Sequence, residues 1–420
     1  KAKNVPKDAD AVIRSEAIPL DNPELKQARK LNIRVKSYSE AVGEIVKSHK
    51  TIAVAGAHGK STTTGILSSI LIENKFDPTI IIGTKLKSLN PPAGGKNFRK
   101  GKSEWLILEA DEYHSAFLHY SPFAAIITNI DKEHLDYYKN ISEIKNAFLK
   151  FISNIRPNGI LVLNKDDKNL FSLKNRIEKI SRKHQLRTYW YSLKSPKNRD
   201  IRPILRVPGA HNLSNALGAY TLARALKISE KGASKGISGY KGAWRRMEYK
   251  GEFKVHKVNK VYKVRVYDDY AHHPSEIKST LSAFREKFPA RKIICVFQPH
   301  QANRLKSLFK EFTKAFDAAY ILILLPVYKV AGRDSVSQNI DKKLFSAVKN
   351  HLSKSQRLEI RNQGLTAQAV FHLPFPANLK QKIKKILNSE FLILNSTPCV
   401  VVMMGAGDIY KLTPKLIDKN

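Results

Sequence analysis

The sequence predicts an α/β protein with two sheets of mainly parallel strands. Apolar runs such as TIAVAG, SEWLILEAD and FAAIITNI alternate with amphipathic stretches of helical period. Runs that are apolar at nearly every position are typical of parallel strands covered on both faces by helices. A second series of such runs, KIICVF, AAYILILLP and CVVVMM, follows a stretch in which Val and Tyr alternate with Lys. We therefore expect one sheet in each half of the chain.

Residues 1–48 predict a small α/β unit with little core of its own. A short strand at 11–14 is followed by a helix that opens at Asn22 and Pro23, because Pro is favoured at the first helical position. NIRV predicts another strand, and SEAVGEIVKSH predicts a second helix. The apolar side of that helix is predicted to consist of Ala41, Val42, Ile45 and Val46. This unit is expected to be the end of a larger domain.

Residues 49–244 predict a central domain built on the first sheet. A strand and loop lead into a helix from about Gly59 to Asn74, and further strands and the helices EIKNAFLKFISNI and NLSNALGAYTLARAL follow. Residues 245–420 predict a Rossmann-like domain that starts with the hairpin EFKVHKVNKVYKVRVYDDY. The helices PSEIKSTLSAFREKF and RLKSLFKEFTKAF then alternate with the second series of strands.

Composition leaves the function open but excludes some classes. The 420 residues carry a formal net charge of +38, dispersed through every segment without a block of basic residues. A spread of solvated lysines or nucleic-acid binding would each produce such a charge. No apolar run approaches the roughly 18 residues that a membrane span needs. Cys295 and Cys399 both lie in strand-like runs, so we expect neither a disulfide framework nor a metal knuckle, and a cytoplasmic protein.

The stretch AVAGAHGKSTTTG, residues 53–65, predicts a phosphate-binding loop between a strand and a helix. It departs from the common pattern G-x-x-x-x-G-K-[ST] because Val54 occupies the first glycine position. Backbone N–H groups at a helix N-terminus attract anionic oxygens, and Lys60 would contact terminal phosphates. The Ser61 hydroxyl would bind Mg²⁺. A plain glycine turn is the alternative interpretation.

Polar residues follow two further apolar strands. Glu109, Asp111 and Glu112 end the first of these strands, and carboxylates there suit Mg²⁺, which takes oxygen ligands. His134 and Asp136 follow the second in TNIDKEHLD. Ligands bind at the carboxyl ends of parallel strands, so both groups are expected near the loop. Solvated loop acids and a structural histidine are the alternatives.

Eight motifs occur along the chain in a fixed order: AGAHGKSTTT, EADE, TNIDKEHLD, PGAHNLSNALGA, RRMEYKGEF, DDYAHHPSEI, FQPH and GAGDIYKL. In this order they resemble the Mur ligases, and the resemblance covers most of the chain. In that family the loop is short, so Val54 is no defect, while Ala57 and Ser61 each stand where threonine is usual. The resemblance is greatest to the members that join L-alanine to UDP-N-acetylmuramate.

The resemblance implies a fold of three domains and an ATP-dependent amide ligase of peptidoglycan synthesis. An N-terminal domain would bind the UDP sugar, a central P-loop ATPase would carry the loop, and the C-terminal domain would help to bind the amino acid. The implied reaction passes through an acyl phosphate, and ATP and Mg²⁺ are the implied cofactors. Such phosphoryl transfer needs alignment and charge neutralisation rather than covalent help from the protein.

The resemblance also implies roles for individual residues. The implied ATP-binding residues are Gly56, Ala57, His58, Gly59, Lys60, Ser61, Thr62, Asn129, Asn212, Asn215, Arg246 and Asp269. The implied catalytic residues are Lys60, Glu109, His134 and Arg246, and the implied Mg²⁺ ligands are Ser61, Glu109 and His134. Ser15, His273, His300 and Arg304 are the implied substrate residues. Arg245 is an alternative to Arg246 at the γ-phosphate, and helix capping is an alternative role for the two asparagines after residue 210.

The sequence departs from the family pattern at three places. Gln301 stands where the family has an arginine after QPH, and Arg333 stands where it has an acid. The glycine-rich strand and turn that begin the family's UDP-binding domain are missing, which predicts a truncated sequence.

Three alternatives therefore remain open. They are a ligase that attaches murein tripeptide to the same sugar, a basic P-loop ATPase that binds nucleic acid, and an inactive remnant.

Overall fold

The computed structural model describes most of the chain, namely residues 1–16, 18–86, 96–257, 260–328, 339–359, 369–373, 378–388 and 399–418. The first half contains β1 (Ala11–Arg14), α1 (Pro23–Lys30), β2 (Arg34–Ser37), α2 (Tyr38–Ser48), β3 (Lys50–Ala55), α3 (Lys60–Glu73), β4 (Thr79–Leu86), β5 (Lys96–Arg99), β6 (Trp105–Glu109), β7 (Ala124–Ile127), α4 (Ile141–Ser153), β8 (Ile160–Asn164), α5 (Lys168–Phe171), α6 (Lys174–Lys183), β9 (Arg187–Tyr191), α7 (Asn198–Ile204), α8 (Ala210–Ala225) and α9 (Glu230–Gly239).

The second half continues the alternation of strands and helices. Its elements are β10 (Glu248–Lys257), β11 (Lys260–Asp269), α10 (Pro274–Lys287), β12 (Lys292–Phe297), α11 (Ala302–Ser307), α12 (Phe309–Thr313), β13 (Ile321–Leu324), α13 (Ile340–Glu359), β14 (Ala369–His372), α14 (Leu379–Asn388) and β15 (Cys399–Met404). No helix within the described ranges combines the length and the apolar character that a membrane crossing requires.

The chain divides into two compact units. Unit 1 comprises Lys1–Leu205 and Leu213–Lys241, and unit 2 comprises Arg206–Asn212 and Gly242–Asn420. Each unit contains one large sheet, so the predicted α/β class with two sheets is confirmed.

The large sheet of unit 1 has seven strands in the order β5-β4-β6-β3-β7-β8-β9. All neighbours are parallel except β4 and β5. β3 lies between β6 and β7, and Ile52 to Ala55 are fully buried, as a strand covered on both faces requires. The carboxyl ends of these three strands therefore lie side by side at one edge of the sheet.

The N-terminal segment forms a two-stranded parallel sheet, β1 with β2, and two helices. Asn22 caps α1 with Pro at the first turn, and Ser37 and Glu40 form a capping box on α2. Within unit 1, Arg156 donates to the carbonyls of Val46 (2.8 Å) and Lys47 (3.0 Å). These bonds connect the end of α2 to the segment between α4 and β8 of the large sheet.

The predicted apolar side of α2 is partly wrong. Val42 and Val46 are buried, but Ile45 is 42% exposed. The helix instead packs through Gly43, where an added Cβ would lie 2.7 Å from the carbonyl oxygen of His119. The buried face of α2 is therefore centred on Gly43, and Ile45 lies on the exposed side.

The sheet of unit 2 has six strands in the order β10-β11-β15-β12-β13-β14. β10 and β11 form the predicted antiparallel hairpin, and the remaining neighbours are parallel. The helix predicted over RLKSLFKEFTKAF is divided into α11 and α12, because Leu308 leaves the helical region with φ −115°.

Candidate active site

The loop after β3 forms a tight turn into α3. Gly56 and Gly59 have φ values of 135° and 83°, which residues with a Cβ rarely adopt. An added Cβ at Gly59 would lie 2.4 Å from Asn215 Oδ1, so the glycine lets the Asn215 amide contact the loop. The predicted association of Asn215 with this loop thus has a geometric basis within unit 1.

The loop after β7 holds the turn from the other side. Asn129 Oδ1 accepts a hydrogen bond from the backbone N–H of His58 (2.8 Å), and Asn129 Nδ2 donates to the carbonyl of His58 (2.8 Å). The Thr128 hydroxyl donates to the same carbonyl (2.6 Å), and the His58 ring pairs with Asp131 (3.0 Å). Asn129 therefore fixes the backbone of the loop through both ends of its amide.

Lys60 is held by a buried carboxylate. Its Nζ donates to Glu112 Oε2 (2.8 Å) and to the carbonyl of Gly56 (2.7 Å), and Asp111 lies 3.9 Å away. Burial opposes the charge of Lys60, but Glu112 and Asp111 outweigh it and raise the pKa of the amine. Lys60 is therefore a fixed positive charge beside the loop.

Ser61 and Glu109 form a second polar pair at the same edge. The Ser61 hydroxyl donates to Glu109 Oε1 (2.8 Å), and the backbone N–H of Gly83 donates to Glu109 Oε2 (2.7 Å). Thr62, the next residue of α3, is buried. The two predicted metal ligands Ser61 and Glu109 are thus in direct contact.

His134 lies beside Asp111 and Glu112. Its Nε2 is 3.6 Å from Glu112 Oε1 and 3.9 Å from Asp111 Oδ1. Glu112 is only 2% exposed, and burial raises the pKa of its carboxyl to about 7 despite the opposing charge of Lys60. Glu112 Oε1 accepts no hydrogen bond from any described residue. A buried oxygen in that state, beside a further carboxylate and an imidazole nitrogen, fits a divalent cation.

Arg245 and Arg246 have different surroundings in unit 2. Arg245 is 2% exposed, donates to the carbonyls of Gly405 and Ala406, and packs against an aromatic group. The rings of that group are those of Trp244, Tyr270 and Tyr410. The side chain of Arg246 is 29% exposed and lies 3.4 Å from Glu276. Arg246 is therefore the better placed of the two for a ligand contact, which stays a prediction, and Arg245 holds the turn after β15.

Two other predicted residues of unit 2 are engaged in local structure. Asp269 is buried and accepts from the backbone N–H groups of Met247 (2.8 Å) and Ala271 (2.9 Å). His273 caps α10, where its Nδ1 accepts from the backbone of Ser275 (3.3 Å). Asp269 thereby fixes the segment next to Arg246.

Asn212 also lies in unit 2, and its amide donates to the carbonyl of Pro208 (2.6 Å). Asn212 is the third residue of α8, so this bond to a carbonyl four residues earlier is not helix capping, in which a side-chain oxygen accepts from a backbone N–H.

The loop after β12 carries the predicted amino-acid residues. The ring of His300 stacks on Tyr328, with centroids 5.4 Å apart. Gln301 follows with φ 66°, and its backbone N–H donates to the carbonyl of Tyr328 (3.1 Å). Arg304 lies in the first turn of α11. Arg333 lies outside the described residues.

Ser15 follows β1 in unit 1, and its carbonyl accepts a hydrogen bond from Ile18 (3.0 Å).

Asp268, next to Asp269 on β11, makes stability depend on pH. Burial raises the pKa of its carboxyl to about 6, although the Thr413 hydroxyl donates to it and opposes the shift. Since this value lies above the ordinary 3.8, the folded state binds the proton more tightly. Its stabilising contribution is complete below about pH 4 and is lost by about pH 7, a change of about 3 kcal/mol.

We expect Asp268→Asn to remove this dependence, because Asn still accepts the Thr413 bond but does not ionise. Urea unfolding at about pH 4 and about pH 7 measures this dependence, as the difference in the free energy of unfolding between variant and wild type at each pH. An equal difference at both values would contradict the assignment.

Comparisons with known proteins agree with the fold. The Mur ligase middle domain matches residues 54–223, the Mur ligase glutamate ligase domain matches 245–367, and the Mur ligase family catalytic domain matches 1–50. A relative from Clostridium kluyveri, named UDP-N-acetylmuramate–L-alanine ligase, is 41% identical over 351 residues, which are 80% of this chain and 74% of the relative. The chain belongs to the Mur ligase family.

Other members of the Mur ligase family extend the comparison. A Clostridium acetobutylicum protein of the same name is 36% identical over 435 residues, covering 99% of this chain and 86% of that relative. The solved UDP-N-acetylmuramate-alanine ligase of Thermotoga maritima has a TM-score of 0.72 at 23% identity, over 99% of this chain and 86% of that one. A murein peptide ligase from Psychrobacter arcticus has a TM-score of 0.58 at 21% identity, over 97% and 85%. These structures share the Mur ligase fold with this chain.

Sequence reasoning missed several contacts of this Mur ligase. The pairing of His58 with Asp131 and the burial of Arg245 join residues far apart in sequence. No local pattern signals either one. The crowding of Asn215 against Gly59 is equally long-range.

Proposed function

We propose that this protein is an ATP-dependent ligase that joins L-alanine to UDP-N-acetylmuramate in peptidoglycan synthesis. The observation that carries the proposal is the grouping of Lys60, Ser61 and the carboxylates after β6 beside one glycine turn. The relatives named UDP-N-acetylmuramate–L-alanine ligase support the choice of substrates. Since the reaction consumes ATP, it belongs in the cytoplasm.

The proposed reaction has two steps. The lactyl carboxylate attacks the γ-phosphorus of ATP, the bond to ADP breaks, and an acyl phosphate forms. The alanine amine then attacks the carbonyl carbon, phosphate leaves, and the amine loses a proton. The first step gathers negative charge on the transferred phosphoryl group, and fixed cations stabilise it.

Residues of unit 1 supply alignment and positive charge in this proposal. The N–H groups of the turn and Lys60 bind the phosphate oxygens, and the Asn129 amide keeps the turn in shape. The residues that would hold Mg²⁺ are Asp111, Glu112 and His134, together with the predicted Ser61 and Glu109. When bound, Mg²⁺ neutralises phosphate charge.

Arg246 has, in this proposal, the role that the family resemblance implies for it. It binds a phosphate oxygen, and Glu276 holds its guanidinium group in place. Burial opposes the charge of Arg246, but Glu276 and Asp269 outweigh it and raise its pKa, so it stays a cation. Residues 1–48, 49–244 and 245–420 act as sugar-binding, ATP-binding and amino-acid-binding domains in this proposal.

Phosphate release tests the proposed function. The protein, expressed from its full-length gene, is given ATP, Mg²⁺ and UDP-N-acetylmuramate with either L-alanine or the murein tripeptide. We expect release that depends on alanine. Release that depends on the tripeptide instead would favour the recycling ligase. Salt-sensitive DNA binding without any ligase activity would favour a nucleic-acid-binding ATPase.

Gln301 offers a test of the amino-acid site. We expect Gln301→Arg to lower the KM for alanine about tenfold, because a charge-assisted bond to the amino-acid carboxylate replaces a neutral one. Gln301→Met is the matched control, since it has similar length but adds no donor. Initial rates at varied alanine concentrations measure the effect, and an unchanged KM in the arginine variant would mean that residue 301 does not face the carboxylate.

A further inference from the structure

Three tyrosines join the loop after β6 to the loop after β7. The hydroxyl of Tyr113 donates to Asp136 (2.9 Å), and the hydroxyl of Tyr138 donates to the carbonyl of Glu112 (2.7 Å). The hydroxyl of Tyr137 lies 3.0 Å from that of Ser115. Because one loop carries Glu112 and the other carries His134, these hydrogen bonds fix the distance between the groups that fit a divalent cation.

Among the three, Tyr113 is the one that stacks on His134. Their ring centroids are 4.5 Å apart with an angle of 29° between the planes, so the phenol covers one face of the imidazole. Tyr113 immediately follows Glu112, and its hydroxyl is anchored two residues beyond His134, on Asp136. The phenol is thereby held at both ends.

The backbone of His134 is fixed in an uncommon conformation. His134 has φ 55°, in the left-handed region that few residues other than glycine adopt. Its carbonyl accepts from the N–H groups of Tyr137 and Tyr138 (both 2.9 Å), which sets the position of its Cα. Fixing the Cα does not by itself set the angle of the ring, because the energy wells of χ2 are broad. Stacking on Tyr113 narrows the range of χ2 and keeps Nε2 directed at Glu112 and Asp111.

We propose that Tyr113 is a positioning residue that sets the His134 ring for binding a divalent cation. The inference rests on the proposed function, because it assigns the cluster of Asp111, Glu112 and His134 to the cation. Groups that orient a ligating histidine change metal affinity by about 10- to 100-fold when they are removed. Tyr113 provides this orientation by stacking rather than by a hydrogen bond to the ring.

Titration with Mn²⁺ alone, followed by electron paramagnetic resonance, tests the inference on the whole protein. We expect Tyr113→Leu to weaken Mn²⁺ binding about tenfold, because the stacked ring is lost. Tyr113→Phe keeps the ring and loses only the bond to Asp136, so its loss is expected to be smaller. Tyr137→Phe is the matched control, since it removes a hydroxyl from the same pair of loops but keeps the backbone bond of residue 137 to His134, and it should bind like wild type.

Two further measurements separate positioning from a general loss of structure. Thermal melting should be close to wild type for all three variants, because Tyr113 and Tyr137 are partly exposed. The imidazole proton resonances of His134, assigned with His134→Ala, should lose the ring-current shift of the phenol in Tyr113→Leu and keep it in Tyr113→Phe. These shifts report whether the phenol covers the imidazole in solution, and unchanged resonances in Tyr113→Leu would contradict the stacking.

The outcomes distinguish this inference from the proposed function. Mn²⁺ binding by Tyr113→Leu that equals the wild type would overturn the inference and leave the ligase assignment intact. Wild-type protein that shows alanine-dependent phosphate release but no Mn²⁺ binding sensitive to His134→Ala would overturn the inference and the assignment of His134 to the cation, and would leave the ligase activity standing. If alanine-dependent release itself is absent, the proposed function fails independently of Tyr113.

Discussion

Replacing Lys60 with alanine is expected to lower kcat about a thousandfold, because a preorganised positive charge is removed from the transferred phosphoryl group. The loop itself should persist, since the amide of Asn129 and the hydroxyl of Thr128 hold its backbone independently of Lys60. Phosphate release at saturating substrates measures the change. Turnover near the wild-type level would contradict the assignment of the loop.

The variant Lys60→Ala has a second effect that can be separated from the first. It leaves Glu112 buried without its ion-pair partner, which is expected to reduce the free energy of unfolding by about 1–3 kcal/mol. Adding Glu112→Gln removes the stranded charge. The double variant should regain stability in urea unfolding but stay inactive, and recovery of activity in it would show that Lys60 only balances Glu112.

Replacing Arg245 with alanine is expected to destabilise unit 2 by about 3 kcal/mol. The carbonyls of Gly405 and Ala406 would lose their guanidinium donor, and the aromatic rings around Arg245 would lose the side chain that packs between them. Urea unfolding followed by the fluorescence of Trp244, whose ring contacts Arg245, measures this change.

Arg246→Ala is the matched control for that variant. Its side chain is partly exposed and its partner Glu276 also accepts from the backbone of His272, so the stability change should be within about 1 kcal/mol. Activity should nevertheless fall strongly in the Arg246 variant. The opposite pattern, a stable Arg245→Ala and an unfolded Arg246→Ala, would reverse the two roles.

The parts of the fold that local patterns encode were predictable. The spacing of the glycines and Lys60 predicts the loop because it is a local pattern, and fully apolar runs predict the buried strands. Glu112 was expected beside this loop because the carboxyl ends of neighbouring parallel strands meet. The choice of Ile45 for the buried side of α2 was wrong, because a pattern of apolar residues does not reveal the close approach at Gly43.

Other parts of the candidate site depend on contacts between distant residues. Nothing in the sequence around Tyr113 indicates that its ring covers His134, 21 positions away. The assignment of Arg245 to the interior and Arg246 to the partly exposed side likewise follows from the turn at Gly405, far along the chain. A sequence pattern cannot distinguish the roles of two adjacent arginines.

The anchoring of α2 by Arg156 limits how the N-terminal segment, residues 1–48, can be exchanged between relatives. The helix packs its valines into the core of the central sheet, and the Arg156 guanidinium binds its last carbonyls. We therefore expect the segment and the sheet to unfold together. A hybrid protein that takes residues 1–48 from another source must therefore also take the matching surface around His119 and Arg156. The end of the segment at residue 48 does not separate two parts that fold independently.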